Sequence, residues 1–253
     1  MARTALPAAL GPRLLDLLFP PSCAVCGRRG AALCAACLAT VRAPEAQPCA
    51  QCHAPLPTSG DALAGRCAAC RAGAPAPLAG LRVAARYEDT LRLAIIELKF
   101  HRQRRLAEPL GDLLAAVAFP LLPVVDVIAP VPLHPKRRRE RGFNQAELLA
   151  WRCGRRLGRP VRGDLLVRVR ATPSQVRLST AERHANVRGA FAALAGAAAT
   201  VAGRTVLLVD DVCTSGATLA AAAEALHAAG AAAVWGAAVA RSALGDLALA
   251  GAP

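Results

Sequence analysis

Residues 205–219 read TVLLVDDVCTSGATL, and this stretch restricts the fold of the chain more than any other. Its apolar run, residues 206–209, fits a strand that is buried on both faces, as in a parallel sheet. Two carboxylates, Asp210 and Asp211, follow directly, and small residues and hydroxyls then lead into a helical pattern. Open α/β sheets bind ligands at the carboxyl ends of their strands. The segment therefore predicts a strand–loop–helix unit with a ligand site at its tip.

The residues after the two carboxylates suit a phosphate group. Residues 214–218 read TSGAT, so hydroxyls, small side chains and the start of a helix come together. Backbone N–H groups at a helix N-terminus bind phosphate oxygens. Carboxylates accept hydrogen bonds from sugar hydroxyls, so one end of the loop suits a ribose and the other its 5′-phosphate. The alternative is a plain strand–turn–helix in which Thr214 or Ser215 only caps the helix.

Strand-like and helix-like patterns alternate in the larger, C-terminal part of the chain. The predicted strands cover residues 81–87, 124–129, 165–169, 206–209 and 233–240. The predicted helices cover residues 91–100, 108–119, 144–157 and 217–229. This alternation predicts an α/β fold with a doubly wound parallel sheet.

Eight of the ten cysteines lie in four CxxC pairs near the N-terminus. Two CxxC turns supply the four tetrahedral thiolates that zinc prefers, with no coordination position left open for chemistry. The simplest pairing is sequential, which gives two structural zinc ions, but an interleaved pairing also fits the spacing. Iron–sulfur clusters use four thiolates as well, and a single CxxC can be a redox motif. The predicted zinc ligands are Cys23, Cys26, Cys34, Cys37, Cys49, Cys52, Cys67 and Cys70.

We predict four parts of the chain from the change in sequence texture. In chain order they are an N-terminal helical segment, a double zinc ribbon, a linker and an α/β domain: residues 1–18, 19–71, 72–80 and 81–253. No stretch reaches the roughly 18 consecutive apolar residues of a membrane helix. Prolines and charges interrupt the N-terminal apolar run, which argues against a signal peptide. We therefore expect a cytoplasmic protein without membrane insertion, in which the thiolates bind metal and do not form disulfides.

Three segments together resemble one protein family. Residues 205–219 are similar to the phosphoribosyl-pyrophosphate (PRPP) loop of type I phosphoribosyltransferases. PVPLHPKRRRERGFNQAELLA, residues 130–150, and TPSQVRLSTAERHANVRGAF, residues 172–191, resemble the ComF family of bacterial competence-associated proteins, which includes GntX-like members. The cysteine-rich N-terminal part is also similar to that family. The resemblance covers nearly the whole chain and implies a type I phosphoribosyltransferase-like domain after a double zinc ribbon.

The resemblance implies roles for individual residues of the loop. Asp210 and Asp211 would hold the ribose 2′- and 3′-hydroxyls, directly or through Mg²⁺. Asp211 is our candidate for stabilising positive charge as the sugar carbon becomes oxocarbenium-like. The usual Thr-Thr-Gly of the family is Thr-Ser-Gly here, and Ser215 keeps the hydroxyl. The predicted PRPP-binding residues are Asp210, Asp211, Thr214, Ser215, Gly216, Ala217 and Thr218.

Two basic stretches are expected to complete the site. The first, LHPKRRRERGFN, follows a predicted strand, where this fold receives pyrophosphate, and guanidinium groups match phosphate oxygens by bidentate geometry. Its candidates are Lys136, Arg141 and Gly142. The second, residues 170–188, has the length and polarity of a lid that excludes water from PRPP. Its candidates are Gln175, Arg183 and Asn186; a third basic cluster, residues 99–105, has no assigned role.

Two functions follow from this interpretation. The first is Mg²⁺-dependent transfer of phosphoribosyl to a nitrogen acceptor, with release of pyrophosphate. The second is a non-catalytic regulatory or single-stranded-DNA-handling role, because the ComF family is linked to natural transformation and the net charge is +14. Competence and recombination proteins would then be partners. Aromatic residues make up only 3% of the chain, which makes a stacking platform for single strands hard to assemble.

Overall fold

The centre of the fold is a parallel sheet of four strands in the order β1-β6-β5-β2. The computed structural model describes residues 20–44, 49, 65–66, 71, 77–172 and 180–242. Numbered along the chain, the strands of this sheet are β1 (Gly80–Arg86), β2 (Val127–Pro130), β5 (Thr205–Cys213) and β6 (Ala233–Arg241). A separate antiparallel pair consists of β3 (Leu166–Arg168) and β4 (Phe191–Ala193).

Helices cover both faces of the parallel sheet, so the predicted doubly wound α/β fold is confirmed. The helices are α1 (Ala35–Ala39), α2 (Asp89–Phe100), α3 (Ala107–Ala118), α4 (Pro135–Arg141), α5 (Gln145–Leu157), α6 (Thr180–Val187), α7 (Ala197–Val201) and α8 (Ala217–Ala228). Single 3-10 turns occur at Arg104–Leu106 and Phe119–Leu121. Helices α2, α3 and α5 pack in one hydrophobic core, and α8 packs with the β3–β4 pair in the other.

Strand β5 belongs to both cores because successive strand residues face opposite sides of a sheet. Leu207 and Val209 lie in the core with α3 and α5, while Val206 and Leu208 lie in the core with α8. The sequence predicted that this strand ends before the two carboxylates, but β5 continues to Cys213. It does so because β6 runs beside it in parallel for its full length. Both carboxylates therefore belong to the last part of the strand.

Helix α4 was not predicted from the sequence. Its residues, PKRRRER, have no apolar stripe, which is the usual signal of a helix that packs on a core. Local geometry accounts for it: Pro135 occupies the first turn, the backbone N–H of Lys136 donates to His134 Nδ1 at 3.3 Å, and Gly142 ends the helix with φ of +79°. Similarly, α6 occupies part of the segment 170–188 that we predicted to be a lid and in which we predicted no helix, and residues 173–179 of that segment lie outside the described residues.

The first cysteine-rich segment packs directly on the α/β domain. Cys34 belongs to the same hydrophobic core as Tyr87 and Leu91, at the end of β1 and the start of α2. Thr40 Oγ1 lies 2.8 Å from Thr90 Oγ1, within hydrogen-bond distance. The backbone N–H of Arg86 donates to the carbonyl of Arg42 at 3.0 Å. This segment therefore shares a core with the sheet and with the helix that follows β1.

Candidate functional site

The two carboxylates of β5 face different surroundings. Asp211 is 3% exposed, and its Oδ1 lies 2.8 Å from the Nζ of Lys99 at the end of α2. Its Oδ2 is buried and has no hydrogen-bond partner in the part of the chain that the structure describes. The backbone N–H of Asp211 donates to Asp210 Oδ1 at 2.8 Å. One oxygen of each carboxylate thus has a partner in the protein, while Asp211 Oδ2 is an unsatisfied acceptor among the described residues.

The pKa of Asp210 is raised from its ordinary value to about 7. Loss of water around the carboxyl is the main cause, although part of the side chain remains accessible, and the neighbouring Asp211 carboxylate adds to it. Lys99 and Arg168 act in the opposite direction. A cation or a hydrogen-bond donor from a ligand would favour the ionised form, so the site is suited to a ligand that brings either.

Replacing Asp210 should change how stability depends on pH. Because the pKa of Asp210 is raised in the folded state, ionising its carboxyl costs stability as the pH rises from about 4 to about 7. Asn cannot ionise, so we expect Asp210→Asn to gain about 1–3 kcal/mol over the wild type between pH 5 and pH 8. Urea denaturation at the two pH values measures this gain.

Asp164 provides the matched control for this experiment. The guanidinium of Arg162, which is 2.8 Å away, lowers the pKa of that exposed carboxyl, so it titrates only below about pH 4 and Asp164→Asn should differ from the wild type by the same amount at pH 5 and pH 8. An Asp210→Asn protein whose advantage over the wild type is equal at both pH values would contradict the raised pKa.

Two arginines lie near the carboxylates. Arg141, at the end of α4, was predicted from the sequence, whereas Arg168, at the end of β3, was missed. Burial lowers the pKa of both guanidinium groups, and the negative charge of Asp210 opposes this lowering in each. The side chain of Arg141 covers the ring of Phe100 at 5.4 Å, and that of Arg168 covers Phe191 at 5.3 Å. The signal for Arg168 in the sequence was a single cation within an apolar strand.

The third basic cluster holds the turn after α4 in place. Arg104 Nη2 donates to the carbonyl of Gly142 at 3.2 Å, and its guanidinium lies 4.8 Å from the centre of the Phe143 ring. Asn144 accepts a hydrogen bond from the backbone N–H of Ala146 at 3.1 Å and donates to the carbonyl of Val131 at 3.0 Å. These contacts hold the turn that follows Arg141, whose guanidinium interacts with the charges of both carboxylates.

Lys136 lies apart from the carboxylates. It is exposed in the first turn of α4, and none of the contacts described for this part of the chain joins its side chain to Asp210 or Asp211. The structure therefore brings Arg141 within reach of the two carboxylates, whereas Gly142 lines a separate cavity and Lys136 lies on the surface.

The predicted phosphate loop adjoins Asp210. Gly216 precedes α8 with φ of +79°, a left-handed conformation that glycine adopts easily. The backbone N–H of Ala217 donates to Ser215 Oγ at 3.4 Å, and the N-cap residue itself, Gly216, has no side chain to cap the helix. A small cavity lies at this point, lined by Asp210, Val212, Cys213, Thr214, Gly216, Ala217, Thr218 and Leu219. Hydroxyls, the helix N-terminus and a carboxylate thus line one cavity.

The predicted lid residues are only partly described. Arg183 is 1% exposed within α6, and Asn186 is half-buried in the same helix. Arg170 Nη2 donates to the carbonyls of Asn186 and Arg188, at 3.0 and 2.6 Å. These bonds join the two ends of the connection between β3 and β4. Gln175 lies outside the described residues.

The first two CxxC pairs come together as the sequential pairing predicts, in a cluster that could hold a metal ion. The ligand atoms of Cys23, Cys26, Cys34 and Cys37 all lie within 4.8 Å of one another. Although burial opposes it, backbone hydrogen bonds, chiefly from Cys34, lower the pKa of Cys23 to about 6. This favours the thiolate that binds zinc. Cys49 is buried, whereas Cys52, Cys67 and Cys70 lie outside the described residues.

Fold and site together define a phosphoribosyltransferase-type α/β domain that follows a cysteine-rich, zinc-binding module. Comparison with known families agrees: residues 160–244 match the phosphoribosyl transferase domain, and residues 14–71 match the double zinc ribbon domain. The chain belongs to the ComF family, whose members include the YhgH proteins and competence protein F.

Three relatives support this assignment. The chain is 35% identical over 208 residues to DNA utilization protein YhgH of Salmonella typhi, which covers 80% of this chain and 87% of that protein. It is 34% identical over 207 residues to the YhgH protein of Escherichia coli, with the same coverage. It is 36% identical over 138 residues to competence protein F of Haemophilus influenzae, which covers 53% of this chain and 60% of that protein.

In the described part of the chain, no helix combines the length and the apolar character that a membrane span requires.

Proposed function

We propose that the chain binds PRPP with Mg²⁺ at the carboxyl end of β5. The observation that carries the proposal is the shared cavity that is lined by Asp210, by Thr214 and Thr218 and by the N-terminus of α8. Asp210 and Asp211 hold the ribose hydroxyls, and Thr214, Ser215, Gly216, Ala217 and Thr218 hold the 5′-phosphate.

The residues present fit a magnesium ion. Carboxylate oxygens are the ligands that Mg²⁺ takes from proteins, and it usually keeps several waters and binds substrate phosphates as well. Asp211 Oδ2 is buried without a partner in the described part of the chain, and Asp210 lies next to it. Once PRPP is bound and its phosphates complete the site, these two residues would hold the ion, which would supply positive charge for the ribose and pyrophosphate oxygens of PRPP.

The proposed reaction is a substitution at the anomeric carbon. The bond from this carbon to the pyrophosphate oxygen breaks, the electron pair leaves with pyrophosphate, and a nitrogen of the acceptor forms the new bond. Asp211 stabilises the positive charge that develops on the sugar, since a fixed carboxylate in a partly dry site interacts strongly with it. Arg141 and the Gly142 backbone hold pyrophosphate from the side of α4, with Lys136 at its exposed edge.

The lid and the cysteine-rich module complete the proposal. The lid, with Gln175, Arg183 and Asn186, covers PRPP and keeps out water, which would otherwise hydrolyse it.

The second group of cysteines holds a second zinc ion, on Cys49, Cys52, Cys67 and Cys70. The domain boundaries are those predicted from the sequence, and the protein acts in the cytoplasm.

Catalysis can be tested by measuring pyrophosphate release. Protein, PRPP and Mg²⁺ are incubated with a panel of nucleobases and amines, and pyrophosphate is quantified by a coupled assay. Release that requires both the protein and one acceptor supports the transferase. Tight PRPP binding without release for any acceptor in the panel would favour a protein that senses PRPP.

A second function is favoured by the charge and by the names of the relatives. Two of the relatives are named DNA utilization proteins and one is named a competence protein. The chain has a net charge of +14, and Arg137, Arg138 and Arg139 are exposed on α4. The second function is therefore a non-catalytic, DNA-handling role, with competence or recombination proteins as partners. Such a protein would bind single-stranded DNA with an affinity that falls steeply as the salt concentration rises. The absence of such binding would leave the PRPP function alone.

A further inference from the structure

Lys99 has a fixed position beside the candidate site. Its ammonium lies 2.8 Å from Asp211 Oδ1, with side-chain exposures of 18% for the lysine and 5% for the aspartate. The helix that carries it is anchored in the core through Ile95 and Leu98, both fully buried. The next residue, Phe100, lies under the guanidinium of Arg141. Because charges interact more strongly where water is largely excluded, Lys99 acts as a held counter-charge to Asp211.

The ion pair engages only one of the two carboxylate oxygens of Asp211. Lys99 occupies Oδ1, while Oδ2 is buried and has no hydrogen-bond partner among the described residues. A carboxylate can accept bonds at both oxygens, so the free one is available to a ligand. Without the lysine, two adjacent carboxylates would need another cation before an anionic ligand could approach.

We propose that Lys99 is a positioning residue for the ribose end of the site. It holds Oδ1 of Asp211, leaves Oδ2 facing the ribose hydroxyls, and provides charge that the acid pair would otherwise take from a divalent cation. The inference rests on the proposed PRPP function and specifies how the ribose end of that site is prepared. Its consequence is that PRPP binding depends less on Mg²⁺ than it would in a protein without this lysine.

The first test compares PRPP affinity with and without Mg²⁺ by calorimetry. No chelator is used, because it would also remove zinc from the thiolates. We expect Lys99→Met to bind PRPP within about threefold of the wild type when Mg²⁺ is saturating, and at least about tenfold more weakly when no divalent cation is added. Lys99→Arg should restore the wild-type ratio. Arg92→Met removes a charge from the same helix and should behave like the wild type.

The second test uses Mn²⁺ as a probe of the protein without PRPP. If Lys99 holds the place of a cation, Lys99→Met should gain a Mn²⁺ site, detected by electron paramagnetic resonance, that the wild type and Lys99→Arg lack. Lys99→Gln keeps a polar side chain without the charge and should gain the same site. Thermal unfolding checks that each variant is folded, since Asp211 loses its buried partner.

The outcomes separate the two proposals. A Lys99→Met protein that loses the same factor in PRPP affinity with and without Mg²⁺, or that gains no Mn²⁺ site, overturns the role of Lys99 and leaves PRPP binding intact. A wild-type protein that binds no PRPP under either condition overturns the proposed function. In that case the Mn²⁺ measurement still decides whether Lys99 is the counter-charge of the acid pair.

Discussion

Changing both carboxylates of β5 to amides, Asp210→Asn with Asp211→Asn, is expected to lower PRPP affinity by at least about 100-fold. Each carboxylate is proposed to accept charge-assisted hydrogen bonds from the ribose or to hold Mg²⁺, and each such bond contributes about 1.5–3 kcal/mol. Asn keeps the size of the side chain but cannot supply the charge. Calorimetric titration with PRPP at saturating Mg²⁺ measures the loss.

The design needs two controls. Asp164→Asn, which alters an exposed carboxyl paired with Arg162, should bind PRPP like the wild type. Thermal unfolding is also required, because the double variant leaves the ammonium of Lys99 without its buried partner. A folded double variant with wild-type affinity would show that PRPP, if it binds, does so elsewhere.

The sequence was informative where the signal is local. An apolar run followed by carboxylates, small residues and a helical pattern predicted the unit of β5 and α8, and the structure places Asp210 beside the start of that helix. The cysteine spacing likewise favoured the sequential pairing without excluding an interleaved one, and the thiols of Cys23, Cys26, Cys34 and Cys37 lie together in the structure. In both cases the residues that define the feature are neighbours in the chain, so their order specifies their geometry.

The partners of the carboxylates could not be predicted in the same way. Residues 210 and 211 alternate along β5, and their neighbours come from different elements: Lys99 from α2 and Arg168 from β3. No pattern near those two cations relates them to the acid loop, because the contact arises only when the sheet forms. Helix α4 was missed for a different reason, since a basic helix without an apolar stripe gives no periodic signal.

Removing metal from the first cysteine cluster is expected to destabilise the α/β domain as well as the cysteine-rich segment. Structural zinc contributes about 10–16 kcal/mol of apparent binding free energy in small zinc modules, and this energy is coupled to folding. Here the cluster shares a core with Tyr87 and Leu91. We therefore expect Cys34→Ser to lower the melting temperature by roughly 10 °C or more, given that about 1 kcal/mol corresponds to 2–4 °C in a chain of this size.

Contacts through α2 connect the first cysteine cluster with the two carboxylates of β5. Cys34 packs near the start of α2, Thr40 lies within hydrogen-bond distance of Thr90 in the first turn of that helix, and Lys99 near its end contacts Asp211. Loss of metal should therefore have two effects at once: the amides of α2 should become less protected in hydrogen exchange, and PRPP binding should weaken. Cys153→Ala, at a buried cysteine outside the cluster, should lose some stability but keep its zinc and its PRPP affinity. If zinc is lost while α2 stays protected, the cysteine-rich segment is an independent attachment and not a support for the site.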